Sequence, residues 1–329
     1  MSAPAFDYAR AASLSDAVIQ GGRPGSAFVA GGTDLLQLWK AGVQAPERVV
    51  DIGRLPLAEV TSSPGRLSIG ALARLSDVAR HPDVIGRHPL VAQAIAASAS
   101  GQVRNMATVG GALMQRTRCA YFRDEHLPCN KRAPGSGCGA LAGENRGHAL
   151  FGGSEACVAT HPSDLAVALT ALGAEIDILG TDGVRRLAVA DLYRLPGITP
   201  ERDTNLVAGD LITAVEISDA GRFAPRSTYL KIRDRASFEF AVVSVAAALR
   251  VEGGVIAEAR LAVGGVAPLP WRLANSEAAL VGRRPDAEAF AAAAAFAVEG
   301  ARPLAHNGFK VELLRRAVVR ALQTVGGPA

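Results

Sequence analysis

The four cysteines of this chain lie in one window, and this feature constrains the fold more than any other. They are Cys119, Cys129, Cys138 and Cys157, and the 329-residue sequence contains no further cysteine. The window between them is rich in glycine and proline and has neither helical nor strand periodicity, which predicts a loop. A loop of this length needs a stabilising cause, and four thiolates on one metal centre would cross-link it.

The spacing of the cysteines favours an iron–sulfur cluster over other thiol centres. The gaps are wide and include no CxxC pair, whereas structural zinc usually has paired ligands a few residues apart. A cubane cluster places its irons at separate corners, so wide spacing suits it. On spacing alone, zinc, disulfides and free thiols stay open as alternatives. Disulfides are less favoured, because we find no secretion signal and a chain of this size can build its own core.

Basic side chains crowd the same window. They would offset the negative charge of a thiolate-ligated cluster or attract an acidic partner. The alternative is a solvated loop that its charges keep soluble. These residues are Arg116, Arg118, Arg123, Lys131, Arg132 and Arg146.

Length and composition indicate a globular protein of two or three domains. Hydrophobic residues make up 49% and charged residues 20%, which allows a large core. A net charge of +4 without a basic block or an aromatic-interleaved patch predicts no nucleic-acid partner. The longest apolar run, Phe290 to Val298, is too short to span a bilayer, so we expect no membrane insertion. The N-terminus lacks a signal-peptide pattern, which predicts a cytoplasmic location, or a periplasmic one only by co-export with a partner.

Two glycine-containing turns are candidates for binding a phosphate-bearing cofactor. A predicted strand, Ser26 to Ala30, is followed by Gly31-Gly32-Thr33-Asp34 and a predicted helix, Leu35 to Ala41. This arrangement aims backbone N–H groups at a phosphate. The turn is not a GxGxxG, and no acidic residue follows at the distance that a dinucleotide-binding Rossmann unit needs. The alternative is a plain strand-to-helix turn.

The second turn, Thr108 with Gly110-Gly111, leads directly into the cysteine window; its alternative is a tight turn against a sheet. Farther along, an apolar helical pattern runs from Leu165 to Leu172, and Pro162 or Ser163 would open this helix and leave Asp164 in its first turn. A carboxylate in the first turn of a helix is favoured by the helix dipole, and this is the structural interpretation of Asp164. The functional interpretation is a hydrogen bond to the hydroxyls of a bound cofactor.

The remaining pattern predicts strands and helices in an order typical of α+β domains, with a boundary near Ala220-Gly221. Before the boundary we predict helices at 13–19, 76–84 and 89–99, strands at 48–52, 67–70 and 211–217, and a hairpin of 174–179 with 184–187. After it we predict an antiparallel sheet of 227–233, 242–251 and 257–263, followed by helices at 276–281, 286–298 and 310–325.

Four motifs, in this order and spacing, resemble the FAD-binding subunit of the xanthine oxidase family of molybdenum hydroxylases. The resemblance covers nearly the whole chain. The cysteine window limits the resemblance to a smaller group of this family, because the window is similar to that of the [4Fe-4S]-bearing flavin subunits of periplasmic aldehyde oxidoreductases. The motifs are Ala30-Gly31-Gly32-Thr33-Asp34, Arg104-Asn105-Met106-Ala107-Thr108-Val109-Gly110-Gly111, His161-Pro162-Ser163-Asp164-Leu165 and Tyr229-Leu230-Lys231-Ile232-Arg233.

The resemblance implies an α+β fold. It consists of a PCMH-type FAD-binding domain, 1–220, and a C-terminal domain like that of the CO dehydrogenase flavoprotein, 221–329. The first domain would have α+β subdomains of about 1–55 and 56–220, with an iron–sulfur loop at 115–160.

The resemblance also implies the site residues. Ser26 to Asp34 would wrap the FAD pyrophosphate, and the second turn would contact the phosphate and ribityl region. Lys231 would lie along the flavin. Without the resemblance, the simpler interpretation of Lys231 is a solvent-facing lysine at a strand edge. One departure is Ala112, where the family often has asparagine. The cluster ligands would be Cys119, Cys129, Cys138 and Cys157. The residues implied for FAD are Ser26, Ala27, Phe28, Val29, Ala30, Gly31, Gly32, Thr33, Asp34, Thr108, Gly110, Gly111, Asp164, Val215 and Lys231.

The function implied is electron transfer, with no catalytic residue in this chain. It would form a heterotrimer with a molybdenum-cofactor large subunit, which oxidises an aldehyde to a carboxylic acid, and a [2Fe-2S] small subunit. Electrons would pass from these subunits to FAD here and then to an external acceptor. Alternatives are the FAD subunit of a xanthine, CO or aromatic acyl-CoA enzyme, a self-contained FAD reductase, and a zinc-stabilised assembly protein without flavin.

Overall fold

The computed structural model describes residues 5–327, and the predicted domain limits at 1 and 329 lie outside them. The protein has mixed α+β architecture with three sheets, as the predicted fold class requires. The strands are β1 (Asp7–Arg10), β2 (Ser26–Val29), β3 (Arg48–Asp51), β4 (Val60–Ser63), β5 (Arg66–Gly70), β6 (Glu175–Gly180), β7 (Gly183–Ala188), β8 (Leu211–Ser218), β9 (Ser227–Ile232), β10 (Val243–Glu252), β11 (Val255–Gly264) and β12 (Trp271–Arg272).

The helices are mostly short, and a 3₁₀ helix, Ala220–Arg226, lies at the predicted domain boundary. The α-helices are α1 (Leu14–Gly21), α2 (Leu35–Lys40), α3 (Leu75–Arg80), α4 (Pro82–Arg87), α5 (Pro89–Ala97), α6 (Gly101–Arg104), α7 (Val109–Leu113), α8 (Ala120–Arg123), α9 (Asp164–Leu172), α10 (Val189–Leu192), α11 (Ala274–Leu280), α12 (Ala287–Phe296) and α13 (Phe309–Gly326).

The first sheet is a small parallel one in the order β1-β3-β2, and it carries the first glycine turn. Helix α1 begins where the sequence predicts, because the Ser13 side chain accepts a hydrogen bond from the Asp16 N–H. Its buried face, with Ala17 and Val18, packs on Val50 of β3. The sheet therefore holds the end of β2 at a fixed position.

The second sheet has five strands in the order β4-β5-β8-β6-β7 and contains the predicted hairpin β6–β7. Its core includes helix α9, every residue of which is buried. Helix α9 contacts strands β10 and β11 of the third sheet and helix α5. Asp164 therefore stands at the start of a helix that is enclosed on all sides.

The third sheet is antiparallel, in the order β12-β11-β10-β9, with helices α11 to α13 packed in its core. Gly253 and Gly254 form the turn between β10 and β11 and both have positive φ, 58° and 80°, as a primed hairpin turn needs. The predicted antiparallel sheet followed by helices is confirmed. No helix within residues 5–327 is long and apolar enough to cross a membrane.

Residues 115–160, the cysteine loop, are held against the C-terminal part by buried polar side chains. The Lys310 Nζ donates to the carbonyl oxygens of Gly147 (3.3 Å), His148 (2.9 Å) and Gly265 (2.5 Å). The Asn307 side chain donates to the carbonyl oxygens of His148 and Ala149 at 3.1 and 3.2 Å. Both side chains are fully buried, so this clamp fixes the later part of the cysteine loop.

Two predicted segments differ from the structure. The single helix predicted at 76–84 is two helices, α3 and α4, which break at His81. Because Pro82 disfavours helical ψ in the residue before it, His81 is extended, with φ −66° and ψ 128°. The predicted structureless window also contains one short helix, α8, directly after Cys119.

Replacing Lys310 by methionine should lower the free energy of unfolding by about 2–4 kcal/mol, because three buried carbonyl oxygens lose a donor. Burial lowers the pKa of Lys310 to about 7 from 10.5. The unfolded chain therefore binds one more proton between these values, and this group makes stability rise with pH there. Denaturant unfolding at pH 7 and pH 9 should show that rise in the wild type and a smaller one in Lys310→Met.

The control is Lys40→Met, which removes the charge of an exposed lysine on α2 and should change stability by less than about 0.5 kcal/mol. A Lys310→Met variant as stable as this control would show that the clamp contributes nothing.

Candidate functional site

The first glycine turn is closed by a very near approach of two backbone segments. A Cβ atom on Gly31 would lie 2.0 Å from the carbonyl oxygen of Met106, so only glycine fits. Gly32 has a φ of +70°, which reverses the chain between β2 and α2. The Ser26 Oγ beside this turn is buried and has no hydrogen-bond partner among the described residues.

The second glycine turn docks on the second sheet. The Gly110 N–H donates to the carbonyl oxygen of Ala71 at 2.8 Å, and a Cβ on Gly110 would lie 3.2 Å from Ala71. Thr108 caps α7, because its Oγ1 accepts from the Gly111 N–H at 3.2 Å. Its hydroxyl is thus used in the fold, and Gly110 lets the turn pack closely against Ala71.

The two turns form the walls of a cleft. One cavity of about 380 Å³ is lined by every residue predicted in the two turns, 26–34 with Thr108, Gly110 and Gly111. A second cavity of about 310 Å³ shares the walls Thr33 and Asp34 with it and reaches Asp164. Each has the size of a cofactor or ligand site. Together they provide an elongated cleft between the glycine turns and helix α9.

A buried ion pair lies at the far end of the second cavity. The Lys231 Nζ is 2.8 Å from Asp164 Oδ2, and the Tyr229 hydroxyl donates to Oδ1 at 2.7 Å. Lys231 also donates to the carbonyl oxygen of Ala97 at 3.1 Å. The side chains of Asp164 and Lys231 are only 5% and 4% exposed. Burial raises the pKa of Asp164, although the charge of Lys231 acts in the opposite direction.

The structure changes two interpretations made from the sequence, those of Lys231 and Val215. Lys231 is not a solvent-facing lysine at a strand edge, because its side chain points into the core between β9 and α9. Val215 does not reach the cleft: it is fully buried in β8, paired with Ile69 and Ile176. The β8 residues that line the first cavity are Leu211 and Ile212, at the start of the strand.

The four cysteines line one small cavity, and within the described chain none of them forms a disulfide. Cys129 and Cys138 face each other across an isolated antiparallel bridge. Hydrogen bonds from Asn130 N to Gly137 O and from Gly139 N to Pro128 O flank this bridge. The two cysteines are therefore a non-hydrogen-bonded pair, whose side chains lie close together on one face.

His148, which no sequence pattern predicted, contacts one of the four cysteines. Its Nε2 is 3.2 Å from Cys119 Sγ. Burial raises the pKa of the Cys119 thiol to about 11, and burial also raises that of Cys157, where Lys131 acts in the opposite direction. Within residues 5–327 no group of three or more His, Cys, Asp or Glu side chains has the arrangement of a single-ion site.

The basic residues of the window are mostly paired rather than solvated. Arg118 and Arg123 both contact Asp34, and Arg116 and Lys131 both contact Asp203. The solvated-loop alternative is therefore wrong for these four. Arg146 fits the solvated-loop alternative best, because both side chains of its ion pair with Asp234 are about half exposed. Arg132 instead donates to backbone carbonyls of its own loop.

Comparison with protein families gives two matches along the chain. Residues 4–218 match the family described as the FAD binding domain in molybdopterin dehydrogenase, and residues 228–325 match the CO dehydrogenase flavoprotein C-terminal domain.

Three relatives span most of the chain. The aldehyde oxidoreductase FAD-binding subunit PaoB of Escherichia coli is 43% identical over 97% of both chains. The glyceraldehyde dehydrogenase medium chain of Sulfolobus acidocaldarius is 30% identical over 86% of this chain and 84% of that one. A carbon monoxide dehydrogenase structure from Hydrogenophaga pseudoflava superposes with a TM-score of 0.77 and 26% identity, covering 99% and 98% of the two chains.

Replacing Gly31 by alanine should reduce the bound flavin by at least about tenfold, since the Cβ would force the two turns apart. The flavin-to-protein ratio of the purified protein, from its visible absorbance, measures this. The control is Gly86→Ala in α4, where a Cβ would meet nothing within 4 Å. A Gly31→Ala variant with the same flavin content as this control would show that the close approach does not shape the site.

Proposed function

The chain belongs to the family of FAD-binding medium subunits of molybdenum hydroxylases, and we propose that within it the chain is the electron-transfer subunit of an aldehyde oxidoreductase. In this proposal it carries FAD and a [4Fe-4S] cluster. It transfers electrons from molybdenum and [2Fe-2S] subunits to an external acceptor. The observation that carries the proposal is that one folded chain joins an FAD-type cleft to a cavity lined by four thiols.

The cleft fits FAD in its residues. Gly31 and Gly110 let the cleft walls pack closely against Met106 and Ala71, and Ser26 offers a buried hydroxyl that no described residue uses. We assign the walls 26–34 with Thr108, Gly110 and Gly111 to the pyrophosphate half of the cofactor, and the second cavity to its flavin half. Bound FAD accepts two electrons and releases them singly, so it connects a two-electron oxidation to one-electron carriers.

Asp164 and Lys231 serve the flavin half as a pair. Asp164 lines the second cavity, and Lys231 lies behind it and acts on the cleft through this carboxylate. Because the two charges compensate each other, the pair presents hydrogen-bonding atoms without a large net charge. Val215 supports β8 from within the core and makes no contact in this assignment.

The cysteine cavity fits an iron–sulfur cluster in its donor set. Four thiols on one cavity are the ligand set of a [4Fe-4S] cluster, which supplies a one-electron centre when bound. The Nε2 of His148 can donate to the sulfur of Cys119 and restrain this ligand. The 43% identity to an aldehyde oxidoreductase subunit favours aldehyde chemistry on the partner over xanthine, CO or acyl-CoA chemistry.

We assign residues 1–220 to the FAD-binding domain, with subdomains of about 1–55 and 56–220 and the iron–sulfur loop at 115–160, and residues 221–329 to the C-terminal domain. The partners in this proposal are a molybdenum-cofactor large subunit and a [2Fe-2S] small subunit, in a heterotrimer. This chain then needs no general acid, base or nucleophile. Its residues position two redox centres and exclude water from them.

Metal and flavin analysis of the purified heterotrimer tests the proposal. We expect one flavin per chain and a visible spectrum that dithionite bleaches. Iron and sulfide should exceed the content of the [2Fe-2S] subunit by four atoms each. Cys138→Ser should remove this excess and the corresponding signal in electron paramagnetic resonance.

The outcomes separate the alternatives. Zinc without flavin would support an assembly protein, and NADPH oxidation by the isolated chain would support a self-contained reductase. If Cys138→Ser at saturating FAD keeps full aldehyde-dependent acceptor reduction, the cluster is structural rather than a relay.

A further inference from the structure

Asp34 ends the first glycine turn and lines both cavities of the cleft, yet the cysteine loop holds its carboxylate. Oδ2 accepts from the Arg116 backbone N–H at 2.8 Å. Oδ1 accepts from Arg123 Nη2 at 3.0 Å and also contacts Arg118. The Asp34 side chain is only 13% exposed. Residues on both sides of Cys119 are thus attached to the turn that borders the cleft.

The two arginines depend on this single carboxylate. The side chains of Arg118 and Arg123 are 22% and 18% exposed. Arg123 also donates to the carbonyl oxygens of Thr117 at 2.9 Å and Arg116 at 3.2 Å. Without Asp34, two largely buried guanidinium groups would lose their counterion, and the start of the cysteine loop would lose its attachment.

An apolar contact reinforces the ionic one. Helix α2 follows Asp34 directly, and its Leu38 is 1% exposed. Leu38 packs in a small cluster with Phe122 and Cys129, against which Cys119 also packs. The cysteine loop therefore provides the packing surface of the helix that anchors the glycine turn.

We propose that Asp34 is a positioning residue that couples flavin affinity to the folding of the cysteine loop around its metal centre. The inference rests on the proposed function, because it takes FAD and the cluster as the two ligands. The folded loop holds Asp34 and α2, and these hold residues 31–34 against the cofactor. Since coupling between two sites is reciprocal, bound FAD must also stabilise the centre by the same factor.

A double-mutant cycle on the dissociation constant of FAD tests this coupling. The heterotrimer is stripped of flavin and titrated with FAD, with wild type, Asp34→Asn, Cys138→Ser and the double variant compared. We expect Asp34→Asn and Cys138→Ser each to weaken FAD binding by about tenfold, within the usual range for coupled sites. The double variant should bind no more weakly than Cys138→Ser alone, because Asp34 has lost its partners once the loop is unfolded.

The matched control is Glu144→Gln, which removes a carboxylate of the same cysteine loop. Glu144 is 73% exposed and its one ion-pair partner is His306 at 3.6 Å, so FAD affinity should not change. If Asp34→Asn fails to fold, Arg123→Lys keeps the charge but loses the forked contacts, and it should weaken FAD binding by about threefold.

The reverse measurement is the retention of iron by the heterotrimer at equilibrium with a competing chelator. Flavin-depleted protein should lose the iron of the cysteine loop at about tenfold lower chelator concentration than flavin-loaded protein, and this difference should vanish in Asp34→Asn. Effects that simply add in the double variant, or iron loss independent of flavin, would overturn the coupling. Failure of the proposed function is distinct, because the wild-type heterotrimer would then contain no flavin or no excess iron at all.

Discussion

The cysteine loop cannot support itself, and the structure depends on how its surroundings hold it. Within residues 115–160 the only helix is α8, and the apolar cluster there includes Leu38 from outside the loop. Leu150 and Phe151 of the loop pack in the core of the third sheet, and polar anchors hold other parts of it. Asp34 holds its start, Asp203 holds the segment around Lys131, and Lys310 holds its later part. Each anchor is a buried or half-buried charge, so each stabilises the loop only while its partner stays in place.

These anchors also explain why the cleft lies where it does. Asp34 belongs to the turn after the first sheet, Lys310 belongs to the helices on the third sheet, and α9 joins the second and third sheets. The cysteine loop therefore touches the elements that border the cleft, and the buried pair of Asp164 and Lys231 closes the opposite end. Because protein interiors are closely packed, movement of one wall of the cleft must disturb contacts of the cysteine loop.

Local signals in the sequence were sufficient for most of the fold. The Ser13 cap, the Gly253-Gly254 turn and the alternation of the C-terminal strands predict their elements because each depends on neighbouring residues. The glycine turns were found for the same reason. The contact of Cys119 with His148 and that of Asp34 with Arg123 span 29 and 89 residues, and no periodic pattern connects such positions. Val215 was assigned to the cofactor by resemblance, which does not show that β8 directs this side chain into the core.

The positive charges around the thiols are partly compensated by two carboxylates. Arg116 and Lys131 are paired with Asp203, and Arg118 and Arg123 with Asp34. Each carboxylate meets two positive side chains, so the window keeps a net positive charge, although it is smaller than the sequence indicates. Burial raises the pKa of Cys119 to about 11 and also raises that of Cys157, so burial favours the neutral thiol at these two positions. In the proposed function, the bonds from the thiols to iron would stabilise the thiolates, and the same bonds would also help to hold the loop.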